Sequence, residues 1–175
     1  MHRFTDLVDR STAFSLAVLR EASERTSDAL QTSAATSLVK TLQMIQLQKA
    51  ILAVGMFSLF EAMLQDGLNC KDGFREANNI LAREGQAALQ ERFNDLQSAI
   101  NVLKHRHGRS YDILVAKAGA LPFRVKLPGE SLFYEGDVSE ISTLIEVDDR
   151  FVLSCAEMIQ EVSETIRKAR PEFLL

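Results

Sequence analysis

Residues 101–114, NVLKHRHGRSYDIL, gather two of the three histidines in the chain with Lys104, Arg106 and Arg109. A histidine trades protons near neutrality because its ordinary pKa is about 6.5, and a guanidinium or ammonium group holds phosphate oxygens. His105 beside Arg106 or Arg109 thus supplies the two parts that cleavage of a phosphodiester without metal needs, a proton carrier and a cation. The same composition describes the charged last turn of a helix. Lys104, His105, Arg106 and His107 would there meet free carbonyl groups, with Gly108 as the stop.

Helical periodicity separates the two rings. At about 100° per residue, His107 falls in line with Leu96, Ile100 and Leu103, while His105 falls opposite them near Asn101. Rings that point apart do not share a metal ion. The chain has no HExxH, CxxC or GxSxG pattern and no glycine-rich phosphate loop. Cys70 and Cys155 lie far apart with no Cys or His at metal spacing, and Cys155 falls on an apolar stripe. The sequence therefore predicts no metal and no cofactor, and two structural cysteines in a reducing compartment.

Charge is segregated along the chain although the net charge is only -4. Six bases, Lys104, Arg106, Arg109, Lys117, Arg124 and Lys126, stand against the single acid Asp112 between 104 and 126. Seven acids, Glu130, Glu135, Asp137, Glu140, Glu146, Asp148 and Asp149, follow between 130 and 149 with no base. Either the two segments pair with each other, or the first is an open basic patch for nucleic acid.

The elements that must position these residues are helical. Helix formers are abundant, with 3 Pro, 8 Gly, 2 Tyr and no Trp, which disfavours a strand-rich fold. A first helix spans about 5–30, where Phe4, Leu7, Phe14 and Val18 recur at steps of three and four. TSAATS at 32–37 marks a break. The second helix, about 36–66, has the strongest periodicity: Leu38, Leu42, Ile45, Lys49, Leu52, Met56, Leu59 and Met63. Leu47, Ile51, Val54, Phe57, Phe60 and Leu64 widen its apolar surface, so it belongs at the centre of a bundle. Gly67 and Gly73 punctuate the chain before helices at about 74–83, 86–107 and 110–118. The segment 119–137, with Pro122, Pro128 and three glycines, reads as a long loop or small hairpin anchored by Phe123, Phe133 and Tyr134. A last helix begins near Asp148 and Asp149, turns Phe151, Cys155, Met158 and Val162 inward, and ends on Arg167, Lys168 and Arg170.

These elements make one all-α domain over 1–175, an antiparallel helical bundle. It comprises an N-terminal helix within 1–32, core helices within 36–118, a loop region at 119–146 and a C-terminal helix at 147–170. MHRFTDLVDR is too charged for a signal peptide. The apolar run 50–64 is interrupted by Ser58 and Glu61 and shorter than the roughly 20 residues a bilayer needs. A cytoplasmic protein with no membrane contact is expected. The breadth of the apolar faces on the first two helices predicts a homodimer.

A long apolar helix ending FSLFEAMLQDGL, followed by a helix ending INVLKHRHG, resembles the HEPN superfamily across about 40–115. Those all-helical proteins of bacterial defence and toxin systems commonly dimerise and include metal-independent ribonucleases. In active members an Arg, usually followed by a polar residue such as Asn, precedes a His by about one helical turn plus one residue, and the dimer brings two such pairs into one cleft. Asn101 and His105 match the polar residue and the His, but Ile100 stands where the Arg belongs. The resemblance implies a helical, dimeric protein that binds RNA or a partner in bacterial defence or stress without catalysis. Asn101 and His105 then occupy the catalytic positions, and Lys104, Arg106, His107 and Arg109 face the RNA. Two alternatives are a metal-independent endoribonuclease using His105 with a nearby Arg, and a protein-interaction scaffold whose loop at 119–137 docks a partner.

Overall fold

The computed structural model describes residues 3–173. Six α-helices carry its regular structure: α1 (Phe4–Leu30), α2 (Thr36–Gly67), α3 (Gly73–Arg83), α4 (Ala87–His105), α5 (Arg109–Ala116) and α6 (Asp149–Ala169). The protein is all-α, and among the described residues the only β pairing is an isolated antiparallel bridge between Val125 and Ile145.

Because α2 is apolar nearly all round, it has to be buried on more than one side. It packs on α1, α3, α4 and α6, as the breadth of its apolar surface predicts. Phe57 and Phe60 of α2 meet Phe74 of α3 and Phe93 of α4, the last two edge to face with ring centroids 5.4 Å apart. These rings are the centre of one continuous core. The turn into α3 is tight: a Cβ on Gly73 would lie 2.7 Å from the Glu61 carbonyl oxygen, so only glycine fits there. Asp72 caps α3 by accepting from the Arg75 N–H at 2.9 Å, and Asp148 caps α6 by accepting from the Phe151 N–H at 2.7 Å. Phe151, Cys155, Met158 and Val162 are all buried on α6, as their spacing predicts.

Helices α1 and α2 form an antiparallel hairpin. Thr12 meets Met56 at 3.1 Å, while Arg20 and Lys49 converge on Asp149, so positions eight apart on α1 match positions seven apart, in reverse order, on α2. The polar interruption in the α2 stripe is thereby explained: the Lys49 side chain is only 12% exposed and is neutralised by Asp149.

The face that α1 turns inward is not the one its large apolar residues define. Thr5, Val8, Thr12, Leu16 and Thr26 are buried, whereas Leu7, Phe14 and Val18 are about half exposed or more. Threonine tolerates this burial because its hydroxyl finds a partner nearby. Thr26 donates to the Ala22 carbonyl one turn back, and Thr12 to the Met56 sulfur. The apolar stripe of α1 is left facing out beside Met44, Leu47, Ile51 and Leu59 of α2.

Between α5 and α6 the chain makes one short 3₁₀ turn, Ala118–Ala120, and then runs without helix to Asp148. Two backbone hydrogen bonds flank the Val125–Ile145 bridge, from the Lys126 N–H to Leu144 at 2.9 Å and from the Glu146 N–H to Arg124 at 3.0 Å. Phe133 is buried and Phe123 packs edge to face on Phe151, but Tyr134, the third expected anchor, is exposed.

Candidate nucleic-acid interface

The corner that carries the candidate residues is made by the end of α4, a sharp turn and the start of α5. Helix α4 stops at His105, two residues before the expected 107, because Arg106 takes φ 64° and ψ -124°. The Arg106 N–H still closes the helix by donating to Val102 at 2.7 Å, and Gly108 follows with φ 145°. An arginine rarely adopts positive φ. Here its side chain is tied across the structure, donating from Nη1 to the Ser142 carbonyl at 2.8 Å.

The turn changes what the two histidines face. His107 has left the helix, so it does not continue the stripe of Leu96, Ile100 and Leu103. Its ring stands edge-on to Tyr111 at 4.9 Å between centroids. Tyr111 is itself buried and donates to the Lys126 carbonyl at 2.7 Å, which ties α5 to the loop. Burial pushes the Tyr111 phenol above its ordinary value, with the charges of Asp112 and Glu130 adding to the rise. His105 remains on the helix and is exposed, one turn beyond the half-buried Asn101. Ile100 is buried at 3% exposure, so the position that would hold the phosphate-gripping Arg is part of the core.

The segregated charges pair in part. Lys126 forms an ion pair with Glu140, and Arg124 lies 3.8 Å from Glu130 with its guanidinium 4.9 Å from the Tyr134 ring centroid. Lys117 is held instead by Asp95, with Glu91 at 3.6 Å, both on α4. The Asp95 hydrogen bond raises the Lys117 pKa against an opposing effect of burial. The first half of the basic segment behaves differently. Among the described residues Lys104, Arg106 and Arg109 have no acidic partner, and all are exposed with His105 and His107.

The structure therefore brings Lys104, His105, Arg106, His107 and Arg109 to one exposed corner, with Asn101 one turn below. Arg106 is occupied by Ser142, which leaves Lys104 and Arg109 as the unengaged full charges. Such a corner can contact phosphates. All three cations beside His105 and His107 are exposed there, so none is buried next to a histidine. The burial of Lys126, ten residues past the end of α5, carried no signal beyond its apolar neighbours Val125 and Leu127.

Compared with protein-family models, with curated proteins and with solved structures, the chain matches none.

Proposed function

We propose that this is a HEPN-like helical protein that binds RNA without cleaving it, works as a homodimer in the cytoplasm, and serves bacterial defence or stress. The observation that supports the binding role is the corner at 104–109, where Lys104, His105, His107 and Arg109 are exposed with no acidic partner among the described residues. The net charge of -4 supplies no general attraction, so affinity has to come from this local group. The buried Ile100 argues for binding over catalysis.

Fluorescence anisotropy with single-stranded RNA at several salt concentrations tests the reading. Two phosphate contacts, from Lys104 and Arg109, give a slope of log affinity against log salt of about -1.4. Lys104→Glu with Arg109→Glu is expected to remove most of the binding. An affinity that is absent, or indifferent to salt, sinks the RNA role. Incubation of a mixed RNA pool without metal separates the endoribonuclease alternative, which requires cleavage by the wild type that His105→Ala abolishes.

A second reading, the interaction scaffold, is favoured by one feature of the loop: Leu127, Leu132, Tyr134 and Val138 are all exposed there. It predicts that charge reversal at the corner changes nothing, while substitution of these four side chains abolishes partner capture.

A further inference from the structure

From the outer face of α1 and α2 we infer that a second copy of this chain packs there, α2 against α2, antiparallel and centred on Ile51. Seven large apolar side chains lie exposed on this face: Leu7, Phe14 and Val18 of α1, and Met44, Leu47, Ile51 and Leu59 of α2. A contiguous patch of this kind on a soluble protein marks a contact surface.

The occupant follows from the pattern along α2. At 100° per residue, Lys40, Met44, Leu47, Ile51, Gly55, Ser58 and Ala62 lie within about 40° of one line. Counted out from Ile51 by four, seven and eleven residues, the line carries Leu47, Met44 and Lys40 one way and Gly55, Ser58 and Ala62 the other. The long side chains are all on one side of Ile51 and the short ones on the other. An antiparallel copy sets Leu47 on the partner's Gly55, Met44 on the partner's Ser58 and Ile51 on its own counterpart. A parallel copy would crowd large on large and leave a void between the small residues.

Gly55 is an independent sign of the same contact. A glycine inside a helix costs about 1 kcal/mol relative to alanine. Nothing within this subunit requires it, since a Cβ at Gly55 would meet no atom within 4 Å. A facing helix that seats a leucine in the notch supplies the reason.

Charge agrees with the antiparallel direction. Lys40 stands at one end of the line, and Glu61 and Asp66 flank the other; none of the three has an ion-pair partner among the described residues. Antiparallel packing brings Lys40 of each copy to the acidic end of its partner, whereas parallel packing sets lysine against lysine. The face is also large enough. From Lys40 to Ala62 it runs roughly 33 Å and is two helices wide, about the 800 Å² per partner that a stable interface needs.

By length and composition α2 is also long and apolar enough to cross a membrane. The edge contributed by α1 opposes this, since Asp6, Arg10, Glu21 and Arg25 are exposed beside its apolar residues. Mixed charge suits a protein surface better than a lipid one. In the dimer, α4 packs on the opposite side of α2, with Phe93 against Phe57 and Phe60. The bundle core then separates the interface from each α4, so the two corners at 104–109 stay outside and do not form one shared cleft.

The test uses the full chain with Cys70→Ser, to remove the half-buried thiol. Sedimentation at micromolar concentration should show a dimer, and Ile51→Glu, which sets a charge against its own copy, should give a monomer with unchanged helical circular dichroism. Leu47→Cys and Gly55→Cys, each alone, should not cross-link on mild oxidation, but their equimolar mixture should. A monomeric wild type overturns the inference, as do self-linking single variants, a dimer that survives Ile51→Glu, or co-sedimentation of the wild type with phosphatidylcholine–phosphatidylglycerol vesicles. The interface rests on the homodimer of the proposed function, but salt-dependent RNA binding by the monomeric Ile51→Glu variant would leave the RNA role standing on its own, so RNA binding and the interface fail separately.

Discussion

The ammonium group of Lys126 and the carboxylate of Glu140 form an ion pair in which the two side chains are only 8% and 7% exposed. Both groups are further engaged. Lys126 Nζ donates to the Ser131 carbonyl at 3.2 Å and sits 4.5 Å from the Phe133 ring centroid, while Glu140 accepts from the Phe133 N–H at 2.6 Å. The pair thus closes the excursion of the chain that leaves and rejoins the bundle at the Val125–Ile145 bridge. It is more buried than the Arg124–Glu130 pair, which also joins the basic and acidic segments.

Removing one partner should be costly because the other charge is left buried. Lys126→Met is expected to lower stability by about 3–5 kcal/mol in chemical denaturation, and Lys126→Met with Glu140→Leu to recover much of that loss. Limited proteolysis of the single variant should cut first within 119–148. A single variant that loses under 1 kcal/mol would show the pair to be solvated, on the scale of a surface salt bridge.

Arg106 joins two opposed effects in one residue. Its positive φ carries a strain on the order of 1–3 kcal/mol, and its bond to the Ser142 carbonyl returns about 1 kcal/mol. Arg106→Ala keeps the strain and loses the bond, so it should destabilise by about 1–2 kcal/mol. Arg106→Gly loses the bond and the strain together and should fall close to the wild type. Equal melting temperatures for the two variants would remove backbone strain from the account of this turn.

What the sequence made legible depends on how local the controlling physics is. On α6 the period of Phe151, Cys155, Met158 and Val162 and the capping carboxylate of Asp148 are both local, and both hold in the structure. The central place of α2 follows equally from its breadth of apolar residues. On α1 two faces competed, and the threonine face was buried, where Thr12 finds a partner in Met56, 44 residues away. No spacing within α1 reports that partner. The candidate site divides in the same way: the exposure of Lys104, His105 and Arg109 follows from a helix end, whereas the turn at Arg106 depends on Ser142 and the burial of Lys126 on Glu140.

Asp149, in the first turn of α6, links acid stability to the junction of α1, α2 and α6. Burial alone would raise its pKa, but hydrogen bonds and charge from Lys49 at 2.9 Å and Arg20 at 3.0 Å outweigh that and hold it below the ordinary 3.8. A carboxyl lower in the folded chain than in the unfolded one contributes stability that is complete above the unfolded value and fades as pH falls through the folded one. Asp149→Asn should therefore cost about 1–2 kcal/mol at neutral pH, with the two melting curves converging below pH 3.8. Glu146 provides the opposite sign: burial and the neighbouring Asp148 raise it above 4.5, outweighing the Tyr134 hydrogen bond. Its ionisation costs stability as pH rises, so Glu146→Gln should stabilise the protein at neutral pH and lose that advantage below 4.5. Melting temperatures of the three proteins between pH 3 and 7 decide both, and an Asp149→Asn difference that is constant across the range would separate that carboxylate from acid unfolding.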